Sequence, residues 1–249
     1  MVDIFWNYPK IKEMESIAIT FNVIKDVPEG SRFYLALLGG RLGDIDFYCG
    51  IQSDVSNPNV GSQGKGLIFS RWHSTNPADI RRTEFSWWET ATYEGDFIST
   101  RRKFKWNRGK YTLKLIKLDT EHFMNNKGTW IGLFLFDHQN VEEYYSGALR
   151  FENKGLHIDA SIYSFFEFFG RDDFELSKMP GGNIQLFPPV INGRILPDTA
   201  YASFPQDRES YGQDNGNSYC NISYNSQVLD VIFGKSVQRA APVYGRFYP

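Results

Sequence analysis

Apolar and polar residues alternate with a period of two along most of the chain. The segment SIAITFNVI, from Ser16 to Ile24, places isoleucine, phenylalanine and valine at every second position. Because successive side chains of a strand point to opposite faces, this pattern is typical of a half-buried strand. No long window keeps apolar residues at helical spacing behind an N-terminal cap, so the pattern does not predict a helical domain.

Segments of the same kind recur at short intervals and define the predicted fold. The further predicted strands are 32–39, 46–53, 67–74, 83–93, 97–106, 110–119, 129–136, 147–151, 156–169, 183–187, 218–224 and 227–233. The segments 97–106 and 110–119 flank the turn WNRGK, which predicts a hairpin. Short strands separated by turns favour an all-β fold, and we predict an antiparallel β-sandwich of the jelly-roll or concanavalin A-like kind.

The chain is predicted to be one β-sandwich domain covering residues 1–249. After Gly170 the sequence becomes rich in Pro, Gly and Asn, and its apolar segments become short. Residues 171–249 hold too little apolar mass for a core of their own. We therefore expect them to form looser strands that pack on the same core.

The net charge and the absence of a signal-peptide pattern in the sequence exclude several classes of protein. The 27 Lys and Arg residues face 29 Asp and Glu residues, a net charge of −2, which excludes the basic excess of a nucleic-acid binder or a polybasic membrane anchor. Neither a leader pattern nor an apolar run long enough to cross a membrane occurs. The expectation is a soluble protein, either cytoplasmic or secreted with its leader removed.

The sequence lacks the motifs of several chemistries. Cys49 and Cys220 are isolated, which favours two thiols over one long-range disulfide and gives no zinc pattern. There is no G-x-S-x-G elbow, no P-loop and no H-E-x-x-H motif. These absences favour a non-catalytic module over an enzyme.

Two short motifs carry a resemblance to a known family. Tyr48, Gly50, Ile51 and Gln52 match a Y-F-G-I-Q strand, and Ile68, Phe69, Ser70 and Trp72 match an I-F-S-V-W-D strand. Weaker matches follow in the same order at YEGD (93–96), FKWNRGKYTLKL (104–115) and WIGLFLFD (130–137). Over roughly residues 30 to 170, the chain resembles an uncharacterised β-sandwich family, a domain of unknown function found in bacteria and eukaryotes.

The resemblance implies a lectin-like sandwich of the kind joined to carbohydrate-binding or cell-surface modules. It supplies no activity. His73 stands where the second motif of the family carries an aspartate, so a shared acidic site is not implied there.

Aromatic residues are the main candidates for ligand binding. The chain has 21 Phe, 14 Tyr and 6 Trp, and most fall on the apolar side of alternating strands, where they predict core. A few tryptophans have charged or polar neighbours, and an exposed ring of this kind stacks on a sugar face. Trp87 and Trp88 are adjacent, so one is expected to face the core and the other the outside. The candidate ligand-binding residues are Trp72, His73, Trp87, Trp88, Glu89, Tyr93, Glu94 and Trp106.

Asp44 and Asp46 lie in a glycine-rich turn and are the candidate ligands of a calcium ion. Calcium prefers carboxylate and carbonyl oxygens supplied by loops of this type. Turn formation by Asp explains the same residues without a metal, so the expected cofactor is none, with calcium as the alternative.

These observations lead to three functional hypotheses. The first is a non-catalytic, lectin-like β-sandwich that binds carbohydrate, with no nucleic acid or membrane as partner. The alternative is a glycan-acting hydrolase with paired carboxylates, for which Glu84, Glu89, Glu94 and Glu167 are candidates. The third is a structural module that forms oligomers.

Overall fold

The alternating segments of the sequence form antiparallel strands in two large sheets. The structure is a computed structural model that describes residues 1–91, 95–123, 126–152, 156–158, 161–169, 179–204, 219–225, 227–242 and 244–249. In chain order the strands are β1 (Val2–Asn7), β2 (Ser16–Lys25), β3 (Phe33–Leu42), β4 (Ile45–Gln52), β5 (Ser56–Asn57), β6 (Gly61–Ser62), β7 (Gly66–Trp72), β8 (Ile80–Arg81), β9 (Ser86–Ala91), β10 (Phe97–Lys103), β11 (Gly109–Phe123), β12 (Asn126–Asp137), β13 (Glu142–Glu152), β14 (Ser161–Phe168), β15 (Gly182–Leu186), β16 (Val190–Ile191), β17 (Thr199–Ser203), β18 (Cys220–Asn225), β19 (Val228–Phe233) and β20 (Tyr244–Phe247).

The strands assemble into two sheets and one small hairpin. Sheet A has the order β20-β17-β1-β14-β3-β4-β7-β10-β9. Sheet B has the order β18-β19-β15-β2-β11-β12-β13-β8, and β16 pairs with β2 beside this path. The short strands β5 and β6 pair only with each other. Each of these strand pairs is antiparallel, so the prediction of an all-β antiparallel sandwich is confirmed. The jelly-roll or concanavalin A-like form stays a prediction.

The core lies between the facing sides of the two sheets. Strand β2 alternates half-buried and fully buried positions over Ser16–Val23, as the sequence pattern predicts. Its buried side chains belong to one apolar cluster with residues from both sheets, including Trp6, Phe69 and Leu133. Burial of a large apolar side chain stabilises the fold by about 1.5–3 kcal/mol, so this cluster is the main source of stability.

The C-terminal strands extend both sheets. Strands β15, β18 and β19 belong to sheet B, and β17 and β20 belong to sheet A. Their buried side chains, such as Ile184, Ala202 and Phe233, are part of the same apolar cluster as the N-terminal strands.

The predicted hairpin around WNRGK is wrong. Strand β10 pairs with β7 and β9 in sheet A, whereas β11 pairs with β2 and β12 in sheet B. The segment between β10 and β11 therefore carries the chain from one sheet to the other. Trp106 lies in this segment and is fully buried, which anchors the crossing in the core.

Cys49 and Cys220 are both buried and free, as the preferred prediction of two thiols states. Burial raises the pKa of the Cys220 thiol to about 12, and it raises the pKa of Cys49 well above its usual value. Both thiols are therefore protonated at neutral pH and behave as small core residues. In the described part of the chain, no helix has the length and apolar character needed to cross a bilayer.

Candidate functional site

The outer face of sheet A carries a row of aromatic side chains that runs across the strands. Tyr201 on β17 lies opposite Phe5 on β1, which lies opposite Tyr163 on β14. Tyr163 lies opposite Gly39 on β3, and Gly39 lies opposite Tyr48 on β4. We call these five positions the aromatic row. The four side chains are half-buried, so each ring keeps part of its surface open to solvent.

The rings of the aromatic row contact one another and extend beyond the five positions. The centroids of Phe5 and Tyr201 are 4.7 Å apart in a stacked pair, and those of Phe5 and Tyr163 are 6.3 Å apart. At the other end, the Tyr48 ring packs edge to face on Trp72 with a centroid distance of 4.7 Å. Aromatic pairs at 4.5–7 Å stabilise each other's orientation, so these rings are held as a fixed surface.

Gly39 leaves room for the Tyr163 ring within the aromatic row. A Cβ atom at this position would overlap atoms of the Tyr163 ring, so that ring lies directly over the backbone of β3. A glycine in a strand allows such a close approach. The ring of Tyr163 thereby covers the gap between β14 and β4.

The aromatic row borders a groove of about 380 Å³, which we call the central groove. Its lining residues are Asp46, Tyr48, Trp72, Tyr163 and Phe165. Four of the five are aromatic and one is a carboxylate. The groove is shallow, and its lining of aromatic side chains with one polar group has the composition that is usual for ligand sites in proteins.

Asp46 supplies the carboxylate of the central groove, and the side chains of Arg41 and His73 lie beside it. Its Oδ1 atom lies 3.4 Å from Nε of Arg41, and its Oδ2 atom lies 3.8 Å from Nε2 of His73. His73 has a φ of 62°, a left-handed conformation that is uncommon for a residue with a side chain. The predicted candidates Trp72, His73 and Asp46 are thus brought together, although they come from two separate segments.

The calcium prediction for Asp44 and Asp46 gains no support from the geometry. The two residues flank the start of β4, where Asp46 is engaged by Arg41 and His73, and the backbone carbonyl of Asp44 accepts a hydrogen bond of 3.1 Å from Nη2 of Arg41. Among the described residues, no three His, Cys, Asp or Glu side chains form a group that could hold a metal ion. A guanidinium beside the carboxylate is unfavourable for a cation.

A second groove of about 580 Å³ lies at the β9 edge of sheet A, and we call it the edge groove. Trp87, Trp88 and Glu89 line it together with residues 56–59 of the β5 region and Arg82. The indole Nε1 of Trp87 donates a hydrogen bond of 2.7 Å to the carbonyl oxygen of Ser56. This bond fixes one edge of the Trp87 ring.

Trp87 and Trp88 face opposite sides of sheet A, as strand alternation predicts. Trp88 packs against the main apolar core. Trp87 lies opposite Arg101 in the pairing of β9 and β10, on the outer side. Both rings are half-buried: Trp87 points to the outer side, whereas Trp88 packs on the core and also lines the edge groove.

Glu89 is ion-paired, and it is the only carboxylate among the described lining residues of the edge groove. Its Oε2 atom lies 2.7 Å from Nη1 of Arg101, which also donates a hydrogen bond of 2.6 Å to Oγ of Ser56. Arg101 is buried, so Glu89 balances a charge that has little access to water. A carboxylate in this role orients its neighbours and is poorly placed to give or take a proton.

Trp106 is a core residue, and its prediction as a ligand platform is wrong. The side chain is fully buried, and its Nε1 donates a hydrogen bond of 2.9 Å to the carbonyl oxygen of Gln52. The ammonium of Lys65 lies 4.1 Å from the ring centroid. The lysine that covers the ring is therefore 41 residues away in the sequence and is not one of the basic neighbours of Trp106 along the chain. Tyr93 and Glu94, the remaining candidates, lie outside the described residues.

The sequence reading missed the tyrosines and phenylalanines of the outer face. None of Phe5, Tyr48, Tyr163, Phe165 and Tyr201 is among the ligand-binding candidates predicted from the sequence. The alternation itself carried the signal, because Phe47 and Cys49 are buried inside while Tyr48 between them points outward.

Comparison with models of known protein families gives no match, and no curated protein matches the chain. The resemblance to an uncharacterised β-sandwich family therefore stays a prediction.

Proposed function

We propose that the protein is a non-catalytic carbohydrate-binding module that binds its ligand on the outer face of sheet A. The central groove is the main contact, and the edge groove with Trp87 is a second one. The observation that carries this proposal is the aromatic lining of the central groove beside the Asp46 carboxylate. Aromatic rings stack on the apolar faces of sugars, and a carboxylate accepts hydrogen bonds from sugar hydroxyls.

The two outer faces differ along part of their width, because the rings of sheet B, such as Phe134 and Tyr145, lie on β12 and β13 and not on its middle strands β2 and β11. Along the middle of the outer face of sheet B, Thr20 and Thr112 share a hydrogen bond of 2.9 Å, and Asn22 donates one of 3.4 Å to Gln185. Those polar side chains satisfy one another, as expected for a solvated face. The middle strands of sheet A instead present half-buried rings, of which Tyr48 packs on the buried side chains Tyr34, Ala36 and Ile68 of the same face.

The hydrolase alternative has weaker support. Retaining and inverting glycosidases need two carboxyl groups about 5–9.5 Å apart across a cleft. Asp46 is the only carboxylate among the described lining residues of the central groove, and Glu89 of the edge groove is committed to Arg101. A binding site, unlike a glycosidase active site, needs no second carboxylate beside Asp46 or Glu89.

Replacing Trp72 by alanine is expected to weaken polysaccharide binding by about tenfold, which corresponds to about 1.4 kcal/mol. The substitution removes one wall of the central groove and the edge-to-face partner of Tyr48. Affinity gel electrophoresis with xylan, glucomannan and hydroxyethyl cellulose, followed by calorimetry on the retained polymer, measures the change.

The matched control is Phe134→Ala. Phe134 is a half-buried ring on the outer face of sheet B, where it stacks on Tyr145 at a centroid distance of 4.8 Å. This variant loses a comparable ring and should bind like the unmodified protein. The proposal fails if no polysaccharide retards the unmodified protein, or if the two variants bind equally well. A size-exclusion profile of a dimer that Trp72→Ala converts to a monomer would support the oligomer-forming alternative instead.

A further inference from the structure

The geometry points to an extended, neutral carbohydrate chain as the ligand, running across the strands of sheet A from Trp72 to Tyr201. This inference rests on the proposed function and specifies the ligand of the same surface. It makes Phe5 and Tyr201, the part of the aromatic row outside the central groove, additional binding positions. A terminal sugar or a single unit would need the groove alone.

The first argument is that the ring surface continues past the groove. The central groove ends at Tyr163, yet Phe5 and Tyr201 follow on the next two strands. The Tyr201 ring then contacts Tyr244 on β20 at a centroid distance of 5.1 Å, and Tyr244 is 51% exposed at the end of the sheet. No part of this extension is needed for a ligand confined to the groove.

The second argument is length and direction. Five inter-strand steps separate β7, which carries Trp72, from β17, which carries Tyr201. Strands in a sheet lie about 4.8 Å apart, so the ring surface spans about 24 Å at right angles to the strands. A pyranose ring is similar in width to a phenyl ring, and a surface of this length accommodates several consecutive units.

The third argument is the polar rim on both sides of the row where it crosses β1 and β17. On one side, Asn7 donates a hydrogen bond of 3.1 Å from Nδ2 to Oγ1 of Thr199. On the other side, Asp3 lies opposite Ser203. An extended sugar chain presents apolar ring faces along its middle and hydroxyl groups along its edges, and this arrangement matches rings flanked by amide, hydroxyl and carboxyl groups.

The fourth argument is charge. Asp46 is balanced by Arg41, which lies opposite it, and Arg246 lies opposite Tyr201 at the other end of the row. Asp3, on the same face of β1 as Phe5, is the second carboxyl group beside the row, so two carboxyl groups stand against two guanidinium groups. The surface along the row thus has no excess of either sign, which suits a neutral chain better than a uronic acid polymer or a sulfated one.

Calorimetry with oligosaccharides of increasing length tests the inference. The probes are cello-, xylo- and manno-oligosaccharides, each from the monosaccharide to the hexasaccharide, titrated into the full chain. For at least one series, we expect the hexasaccharide to bind at least tenfold more tightly than the disaccharide. The variant Tyr201→Ala should lower hexasaccharide affinity severalfold and leave disaccharide affinity unchanged, because only the longer ligand reaches β17.

Phe5→Ala provides a second variant of the extension, and Phe134→Ala again serves as the control on sheet B. Equal affinity for short and long ligands, or unchanged hexasaccharide binding in both extension variants, overturns the inference while leaving the central groove as a binding site. Absence of binding to every probe contradicts the proposed function itself. Oligogalacturonides of the same lengths serve as the charged comparison, and tighter binding of these than of all neutral series overturns the neutral character of the ligand. Loss of a dimer in Tyr201→Ala, with no sugar binding, assigns the row to a protein partner.

Discussion

Replacing Asp79 by alanine is expected to lower the free energy of unfolding by about 3–5 kcal/mol, because it leaves a buried charge without its partner. The charge that would lose its partner is the guanidinium of Arg71, which points between the sheets with 1% of its side chain exposed. Its Nη2 atom lies 3.2 Å from Oδ2 of Asp79, and the same oxygen accepts a hydrogen bond of 2.5 Å from Ser74. Oδ1 of Asp79 lies 3.3 Å from Nε of Arg150.

Burial lowers the pKa of Arg71, and the Asp79 carboxylate is the main opposing influence. The guanidinium still stays charged, since an arginine does not lose its proton in a protein. Urea unfolding followed by circular dichroism measures the loss of stability. The control is Asp119→Ala, which removes an ion pair with Arg81 at the surface and should cost about 0–1 kcal/mol. Equal midpoints for the two variants would show that the Arg71 network contributes little.

Replacing Trp106 by alanine is expected to cost about 3–5 kcal/mol of stability, the range for removing a large buried aromatic side chain. The variant would also leave the Gln52 carbonyl and the Lys65 ammonium without a contact that each now makes. The same unfolding experiment measures the effect.

The matched variant is Trp87→Ala, which removes the same side chain from a half-buried position on the outer face. It loses a hydrogen bond to Ser56 and should cost about 1 kcal/mol. A Trp106 variant no less stable than the Trp87 variant would contradict the assignment of Trp106 to the core.

The fold class followed from the sequence because alternation is a local property. Each strand's period of two is visible in segments such as 16–24, and it predicts antiparallel sheets with one buried face. Pairing partners are not local, and this explains the failed hairpin between 97–106 and 110–119. The short turn between them suggested pairing, but the buried Trp106 makes that segment a crossing between sheets.

The aromatic row depends on register, which a single sequence does not reveal. Strand β3 has an irregularity between Ala36 and Leu38 in its pairing with β4, and this extra residue brings Gly39 opposite both Tyr48 and Tyr163. A shift by one residue would turn the side chains of a strand to the other face. Alternation can place Tyr48 outside, but only register can align it with Tyr163.

Polar neighbours along the chain were an unreliable guide to exposed tryptophans. The criterion kept both Trp87 and Trp88 and did not distinguish the outward Trp87 from Trp88, which packs on the core. It failed for Trp106. This residue lies in the segment that connects the two sheets, where it is fully buried and its ring is covered by Lys65 from a distant part of the sequence. Spatial neighbours, not sequence neighbours, decide burial.

The most direct test of a sugar site on sheet A is a titration followed through the tryptophan indole N–H signals in nitrogen-15 NMR spectra. Cellohexaose, xylohexaose and mannohexaose are added in turn to the labelled full chain. The Trp72→Ala variant assigns the Trp72 signal. With at least one ligand, Trp72 should shift in a saturable manner, whereas Trp6 and Trp106 should stay unchanged because their indoles donate to Ser164 and Gln52 in the core. An unchanged Trp72 signal with all three ligands, under conditions where the chain retains its fold, would contradict the account.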